Sequence, residues 1–425
     1  MTNYSSGNTD TAELTSTADR DGGNHKVNTA NLFERWLARM LLSAIGNPPI
    51  GLAFGNGVTL KATERPGPLL IIRDLATLLK LLFNPEYNFG ELYTQGRIEV
   101  DGNLVELLCL VFRALYFRDR PQSTGLVSGL LRKLGSGDTF TTARRNIHHH
   151  YDIGNRFYEK WLDQEMQYTC AYFAEPDYTL EQAQIAKMHH VCRKLMLRPG
   201  LSVVEAGCGW GGLARFMARE YGVNVKAYNI SREQIDYARQ RATREDLQDT
   251  VEYIEDDYRN IRGKFDRFVS VGMLEHVGIE NYRELGRVID RCLNETGTGL
   301  IHSIGFNHPD YLNPWIEKRI FPGACPPSIS QMMDIFEPRN FSILDIENLR
   351  LHYATTLEEW LLRFNRNVDQ IQAEFDEEFI RAWRLYLSGS MSAFLTGSMQ
   401  LFQVVFSRPN NNNLPWSRSH LYKDS

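Results

Sequence analysis

Residues 203–212 read V-V-E-A-G-C-G-W-G-G, and this stretch constrains the fold more than any other part of the chain. Its first half is a short apolar run of the kind that forms a parallel strand buried on both faces. Its second half is a glycine turn opening a helix over 213–221. Glycine lacks the Cβ that would collide with a bound nucleotide, so backbone can approach the ligand closely at such a turn. The spacing fits two patterns at once. Gly207, Gly209 and Gly212 satisfy G-x-G-x-x-G, while Glu205 with Gly207, Gly209 and Gly211 satisfies E-x-G-x-G-x-G.

The first pattern is that of NAD sites and the second that of S-adenosylmethionine sites. Glu205 lies on the strand, two residues before the first glycine, where an acid attracts a cationic amino-acid moiety. Beside a pyrophosphate it would gain nothing. The strand at 224–229 also ends without the Asp or Glu that an NAD site places on the ribose about 20 residues on. Both points favour S-adenosylmethionine over NAD, with a purely structural glycine turn as the plain alternative.

A chain of 425 residues has room for two or three domains. Its net charge of −5 gives no reason to expect nucleic acid as a partner. The six cysteines (109, 170, 192, 208, 292, 325) form no C-x-x-C pair and show no His/Cys ligand spacing. They read as reduced thiols of a cytosolic protein with no metal site. The polar N-terminus lacks the apolar core of a secretory signal. The most apolar run, 104–117, is interrupted by Glu106 and Arg113 and falls short of the roughly 20 residues that span a bilayer. Membrane contact is therefore expected to be peripheral.

Taken in order, residues 1–28 are rich in Thr, Ser, Asn, Asp and Gly and are expected to be disordered. Residues 29–118 read as a small α+β domain. Within it, Leu32, Phe33, Trp36, Leu37, Met40 and Leu41 recur at helical spacing over 31–45, flanked by Arg35 and Arg39. That helix either packs on its own domain or lies on a membrane surface, where its basic residues meet anionic headgroups. Strands are expected at 58–62, 69–73 and 93–100, and helices at 75–82 and 104–116. Residues 119–140, rich in Gly, Ser and Pro, read as a linker with one short helix at 126–134.

From 141 to 410 strands alternate with helices at the rhythm of a parallel sheet, and 411–425 is a polar tail. Strands are expected at 202–206, 224–229, 251–256, 265–271, 299–304, 341–348 and 400–406. Helices are expected at 180–195, 213–221, 232–244 and 281–291. The fold class is α/β: a Rossmann-like, doubly wound sheet of seven strands with a final hairpin-like pair, plus the smaller N-terminal α+β domain. The segment 306–339 is too long for a simple connection. With the helical stretches 357–364 and 379–394 it is expected to build an apolar chamber over the cofactor.

Four further segments place polar groups at strand ends or loops: 166–173, 271–278, 301–305 and 351–357. Ligands of open α/β sheets bind outside the carboxyl ends of the strands, so Glu275 and His302 should face the crevice of the glycine turn. Each residue has a duller reading, as a helix-cap partner, a structural histidine or a packing tyrosine. Their convergence on one rim makes the functional case.

The strings H-H-Y-D-I-G-N (149–155), Q-Y-T-C-A-Y-F (167–173), E-A-G-C-G-W-G-G, S-V-G-M-L-E-H-V-G (270–278), I-H-S-I-G, P-W-I-E-K-R-I-F-P-G (314–323) and Q-V-V-F-S-R (403–408) resemble the cyclopropane-fatty-acyl-phospholipid synthase family, in order, from about 146 to 408. The resemblance implies that a cis double bond of a phospholipid acyl chain attacks the sulfonium methyl of S-adenosylmethionine. A carbocation forms, and a bound bicarbonate removes a methyl proton as the ring closes. It implies that Glu275, His302, Tyr353, Cys170 (through its backbone) and the Ile304 amide hold that bicarbonate. Tyr172, Phe173, Tyr353 and Trp315 are candidates to offer the cation π-faces.

For the donor, the resemblance implies Glu205, Gly207 and Gly209 at the glycine motif and Asn229, Ile230 and Gln234 on the ribose. It places Asp257 and Tyr258 at the adenine, with Tyr168 and Thr169 over the methionine end. Ser390 stands where many family members carry a cysteine. A homodimer acting on the phospholipid bilayer surface, cytoplasmic and peripherally bound to the inner face of the membrane, is implied as well. Methyl or methylene branching of the lipid chain is the nearest alternative outcome, and a non-enzymatic lipid-binding protein the alternative of another class.

Overall fold

A computed structural model of the chain describes residues 32–54, 59–61, 67–116 and 153–422. The expected N-terminal tail, the linker and its short helix lie outside the described residues. The described residues gather into two compact units. One holds those up to Tyr116 together with Glu377–Ser392, and the other holds the rest.

The first unit is built on a four-stranded sheet of β1 (Gly51–Phe54), β2 (Thr59–Lys61), β3 (Leu69–Ile72) and β4 (Ile98–Asp101), in the order β2-β1-β3-β4. Helices Leu32–Ala44, Leu75–Phe83, Pro85–Thr94 and Leu104–Tyr116 belong to it. Asp74 starts the second of these by accepting the Thr77 amide at 2.9 Å. The structure corrects the expected strand at 93–100, because Tyr93 and Thr94 close the Pro85–Thr94 helix and pairing begins only at Ile98. Pro85 at the first helical position and the Asn84 cap set that helix going. Tertiary contacts then override the strand preference of Tyr93. The Arg381 guanidinium lies 4.4 Å over its ring and donates to its carbonyl at 2.7 Å. Strand β1 was not expected at all, its four residues being too few to show a period.

The Leu32–Ala44 helix is apolar on two faces. Leu37, Ala38, Leu41 and Leu42 are buried, while Phe33, Trp36 and Met40 stand out in solvent. The buried face fits the reading in which the helix packs on its own domain.

The second unit carries the expected seven-stranded sheet. Its strands are β5 (Ser202–Ala206), β6 (Asn224–Asn229), β7 (Val251–Glu255), β8 (Phe265–Val271), β9 (Leu293–Gly305), β10 (Ser342–Asn348) and β11 (Gln400–Ser407). They lie in the order β10-β11-β9-β8-β5-β6-β7. Strands β5 to β9 run parallel, and β11 enters antiparallel between β9 and β10. The chain winds outward from β5 to β7 and then returns to β8 on the other side of β5. The switch point therefore falls between β5 and β8, where open sheets of this kind bind ligands.

Apolar clusters cover both faces of the sheet. One of them includes Met332, Ile335 and Phe336, all fully buried, from the Ile329–Phe336 helix. The second half of the 306–339 segment thus belongs to the core rather than to a chamber over the cofactor. It packs on the Tyr282–Cys292 helix at Gly286, where an added Cβ would lie 2.3 Å from the Ile335 carbonyl oxygen. Most of the 379–394 stretch, also expected in that chamber, belongs to the first unit, which takes in Glu377–Ser392. Among the described residues no helix is long and apolar enough to cross a membrane. The close approach at Gly286 makes a direct prediction: Gly286→Ala should cost about 1–3 kcal/mol in equilibrium urea unfolding, and a cost near zero would mean that the helices separate freely.

Candidate active site

At the carboxyl ends of β5, β6 and β8 an open cleft occupies the switch point. Of the residues expected to hold the donor, Tyr168, Thr169, Glu205, Gly207, Gly209, Asn229 and Gln234 line it. Gly207 and Gly209 take the left-handed turn with φ of 83° and 52°, which a side chain would resist.

Glu205, at the end of β5, is 2% exposed, and its Oε2 has no hydrogen-bond partner. Burial pushes its pKa up to about 8, against the pull of the Lys187 and Arg215 charges. A buried carboxylate with an open oxygen on a cleft wall suits a ligand's ammonium group. That is the donor set the amino-acid end of S-adenosylmethionine needs.

Asn229 and Gln234 hold each other. The Asn229 Nδ2 donates to Gln234 Oε1 at 2.7 Å and to the Gly209 carbonyl at 3.2 Å, tying the end of β6 to the glycine turn. Ile230, Asp257 and Tyr258 do not line the cleft. Asp257 follows β7 and spends its carboxylate on the Arg259 amide and guanidinium, both at 2.8 Å. Its neighbour Asp256 donates its amide to the Asn229 carbonyl at 3.0 Å, which keeps this turn beside the β6 end.

Of the residues expected at the reacting end, Glu275, His302, Tyr353 and Cys170 are buried and Ile304 is half-buried. Glu275 sits on the short turn after β8, and its Oε1 accepts the Ile304 amide at 2.6 Å. The expectation that this amide is free for an anion is corrected by that bond. The Oε2 of Glu275 has no partner, and burial pushes the group up to about 7. His302 lies two residues before Ile304 on β9. Burial holds its pKa down at about 3, so the ring is neutral. The Gln403 side-chain nitrogen meets its Nδ1 at 3.1 Å, which leaves the ring proton on Nε2.

Tyr353 packs on Phe394 at 4.6 Å and on the edge of Trp360 at 5.9 Å, and Trp360 in turn meets Tyr168 at 5.3 Å. Cys170 is fully buried with its thiol on the Ala171 carbonyl at 3.1 Å, and burial pushes its pKa far up. No thiolate forms there, so only its main chain suits an anion. Trp315 is also buried. Tyr172, expected to offer a π-face, instead has both faces covered: His190 stacks on it at 4.3 Å and His352 at 4.8 Å.

Several cleft residues were not singled out from the sequence: Gln167, Trp210, Met273 and His276. Trp210 donates to Asn155 at 2.7 Å, so the last residue of H-H-Y-D-I-G-N braces the glycine turn. His276 is held at about 4 by burial and is neutral. Both lie inside strings that were read for a different member. Among the described residues no group of three or more His, Cys, Asp or Glu side chains is placed to hold a metal ion.

A doubly wound sheet with an open carboxylate beside the glycine turn defines an S-adenosylmethionine-dependent methyltransferase. The family profile described as mycolic acid cyclopropane synthetase matches residues 139–404, and the chain belongs to that family. A probable fatty acid methyltransferase of Pseudomonas putida is 34% identical over 388 residues, spanning 88% of this chain and 96% of that protein. The cyclopropane-fatty-acyl-phospholipid synthase of Escherichia coli is 44% identical over 270 residues, 63% of this chain and 69% of that protein. The solved structure of mycolic acid cyclopropane synthase CmaA1 complexed with SAH and CTAB is 30% identical with a TM-score of 0.59. It covers 62% of this chain and 98% of that one.

The burial of Glu205 sets a sign for pH dependence. Its native pKa of about 8 stands above the ordinary 4.5. Between these values the unfolded chain releases a proton that the native state keeps, so stability falls as pH rises. Glu205→Gln lacks this loss. In thermal melts without ligand, its stability relative to the parent should grow by at least about 1 kcal/mol from about pH 5 to about pH 8. A gap that stays constant would place Glu205 in contact with water.

Proposed function

We propose that this enzyme adds a methylene group from S-adenosylmethionine across the cis double bond of unsaturated phospholipid acyl chains. The observation that carries the reading is Glu275, a buried acid with one oxygen bonded to the Ile304 amide and the other open. The 44% identity to the Escherichia coli synthase supports the substrate class.

In this reaction the alkene electrons form a bond to the methyl carbon while the carbon–sulfur bond breaks, leaving S-adenosylhomocysteine. Loss of one methyl proton then closes the ring. The reaction centre must keep water from the cation and provide somewhere for that proton to go. Bound bicarbonate would supply the base. An acid poised near neutrality, a neutral imidazole with its proton on Nε2 and a buried phenol suit an anion that carries its own hydroxyl. Glu275 Oε2 would accept that hydroxyl, while His302 and Tyr353 would donate.

Release of a methyl-branched product is the second reading. It is favoured by the Pseudomonas putida relative, named a probable fatty acid methyltransferase, which matches far more of the chain than the Escherichia coli protein does.

The lipid reaches the enzyme from a membrane surface. Phe33, Trp36 and Met40 follow one another at helical spacing, with Trp36 55% exposed. Leu75, Leu79 and Phe83 form a second exposed row, with Phe83 91% exposed, on the helix that packs against the first. Arg39 and Lys80 stand exposed on the same two helices. Exposed aromatics flanked by basic side chains suit the headgroup layer of an anionic bilayer.

Glu275→Gln should keep S-adenosylhomocysteine affinity within about threefold of the parent and lower turnover by about 10²–10⁴-fold. Calorimetry and lipid mass spectrometry read the two effects, and a loss confined to affinity would remove Glu275 from the reaction. In a host lacking such an enzyme, expression should yield lipid chains one CH₂ heavier that resist mild hydrogenation. Heavier chains that take up hydrogen would instead establish a methylene branch. Trp36→Ser combined with Phe83→Ser should weaken co-sedimentation with anionic vesicles by about tenfold; unchanged sedimentation would take membrane contact away from these helices.

A further inference from the structure

Lys187, in the Leu180–Lys194 helix, is completely buried and has no part in the reading above. Its Nζ donates to Gln167 Oε1 at 2.5 Å and to Thr169 Oγ1 at 3.0 Å. One turn earlier, Gln184 donates from its Nε2 to the carbonyls of the same two residues, at 3.3 Å and 2.9 Å. Residues 166–169 form one lip of the cleft, so this helix grips the lip by both main chain and side chain.

The opposite side of the lip is seated on two glycines. A Cβ at Gly212 would lie 2.4 Å from Gln167 Nε2, and one at Gly272 would lie 2.8 Å from Thr169 Cγ2. Gln167 and Thr169 are thus clamped between a polar pair on one side and two bare backbone positions on the other.

We propose that Lys187 is the positioning residue of the donor site, holding the 166–169 lip in register through Gln167 and Thr169. It touches neither the donor nor the reacting carbon and acts through those two residues. The role follows from the methyltransferase assignment alone and is the same whether the product is a ring or a branch.

A double-mutant cycle on the full chain tests it, with S-adenosylhomocysteine binding read by calorimetry. Lys187→Met should weaken binding by about tenfold and raise KM for S-adenosylmethionine by a like factor, with kcat changed by less than about threefold. In a Gln167→Leu, Thr169→Val background the same substitution should cost less than about threefold, because the groups it holds are gone. Lys187→Arg, which keeps a donor at this place, should stay within about threefold of the parent, and it carries the test if the methionine variant does not fold. Additive losses in the cycle, a tenfold loss in the arginine variant, or a lowered melting temperature with unchanged affinity would each overturn the role. If the parent itself failed to bind S-adenosylhomocysteine, the methyltransferase assignment would fall instead.

Discussion

A carboxylate taken out of water needs a partner, and the catalytic unit is arranged around two that still lack one. Glu205 and Glu275 each keep one oxygen unbonded in a buried setting. Desolvation raises both pKa values and leaves each poised to take a ligand of suitable charge. Stability alone would favour apolar residues of similar size at both places, since an unsatisfied buried acid costs free energy. Binding and chemistry are what make such an arrangement useful.

The sheet explains why these two acids are neighbours in function. β5 and β8 are adjacent and parallel, although two strands and two helices of chain separate them, and both end at the same rim. Glu205 ends one strand, and Glu275 follows the other by a single turn. From that turn it reaches the end of β9 at Ile304. In the proposed reaction one face of the site handles a cation, the donor's ammonium, and the other an anion or a proton. Neutral histidines at 276 and 302, kept neutral by the same burial, add hydrogen bonding without adding charge.

Rigid seating keeps the two ends in register. Aromatic contacts run from Tyr353 through Trp360 to Tyr168, so the reacting end and the lip over the donor share one packed wall. Asn155 through Trp210, and Tyr253 through the Gly211 carbonyl at 2.7 Å, hold the glycine turn from two further sides. A close-packed wall of this kind excludes water from a reacting cation and transmits any misplacement of its parts.

The seven strands of the catalytic unit and its helices between 180 and 292 were legible in the sequence because each carries its period or its glycine within a short window, whereas the Ile329–Phe336 helix was not. So were Glu205, the glycines and Glu275, which stand in strings with a chemical reason for their spacing. In the first unit, by contrast, Tyr93 and Thr94 read as strand and fold as helix, because Arg381, nearly 300 residues on, packs on the ring. Lys187 looks like one more polar residue of an ordinary helix, and only the fold buries its amine against Gln167 and Thr169 of the cleft lip. The Ile304 amide reads as an open donor until the fold brings Glu275 to it. Local order could determine which elements form and which motifs they bear. Burial, and therefore charge state and hydrogen-bond partner, was decided only when distant segments met.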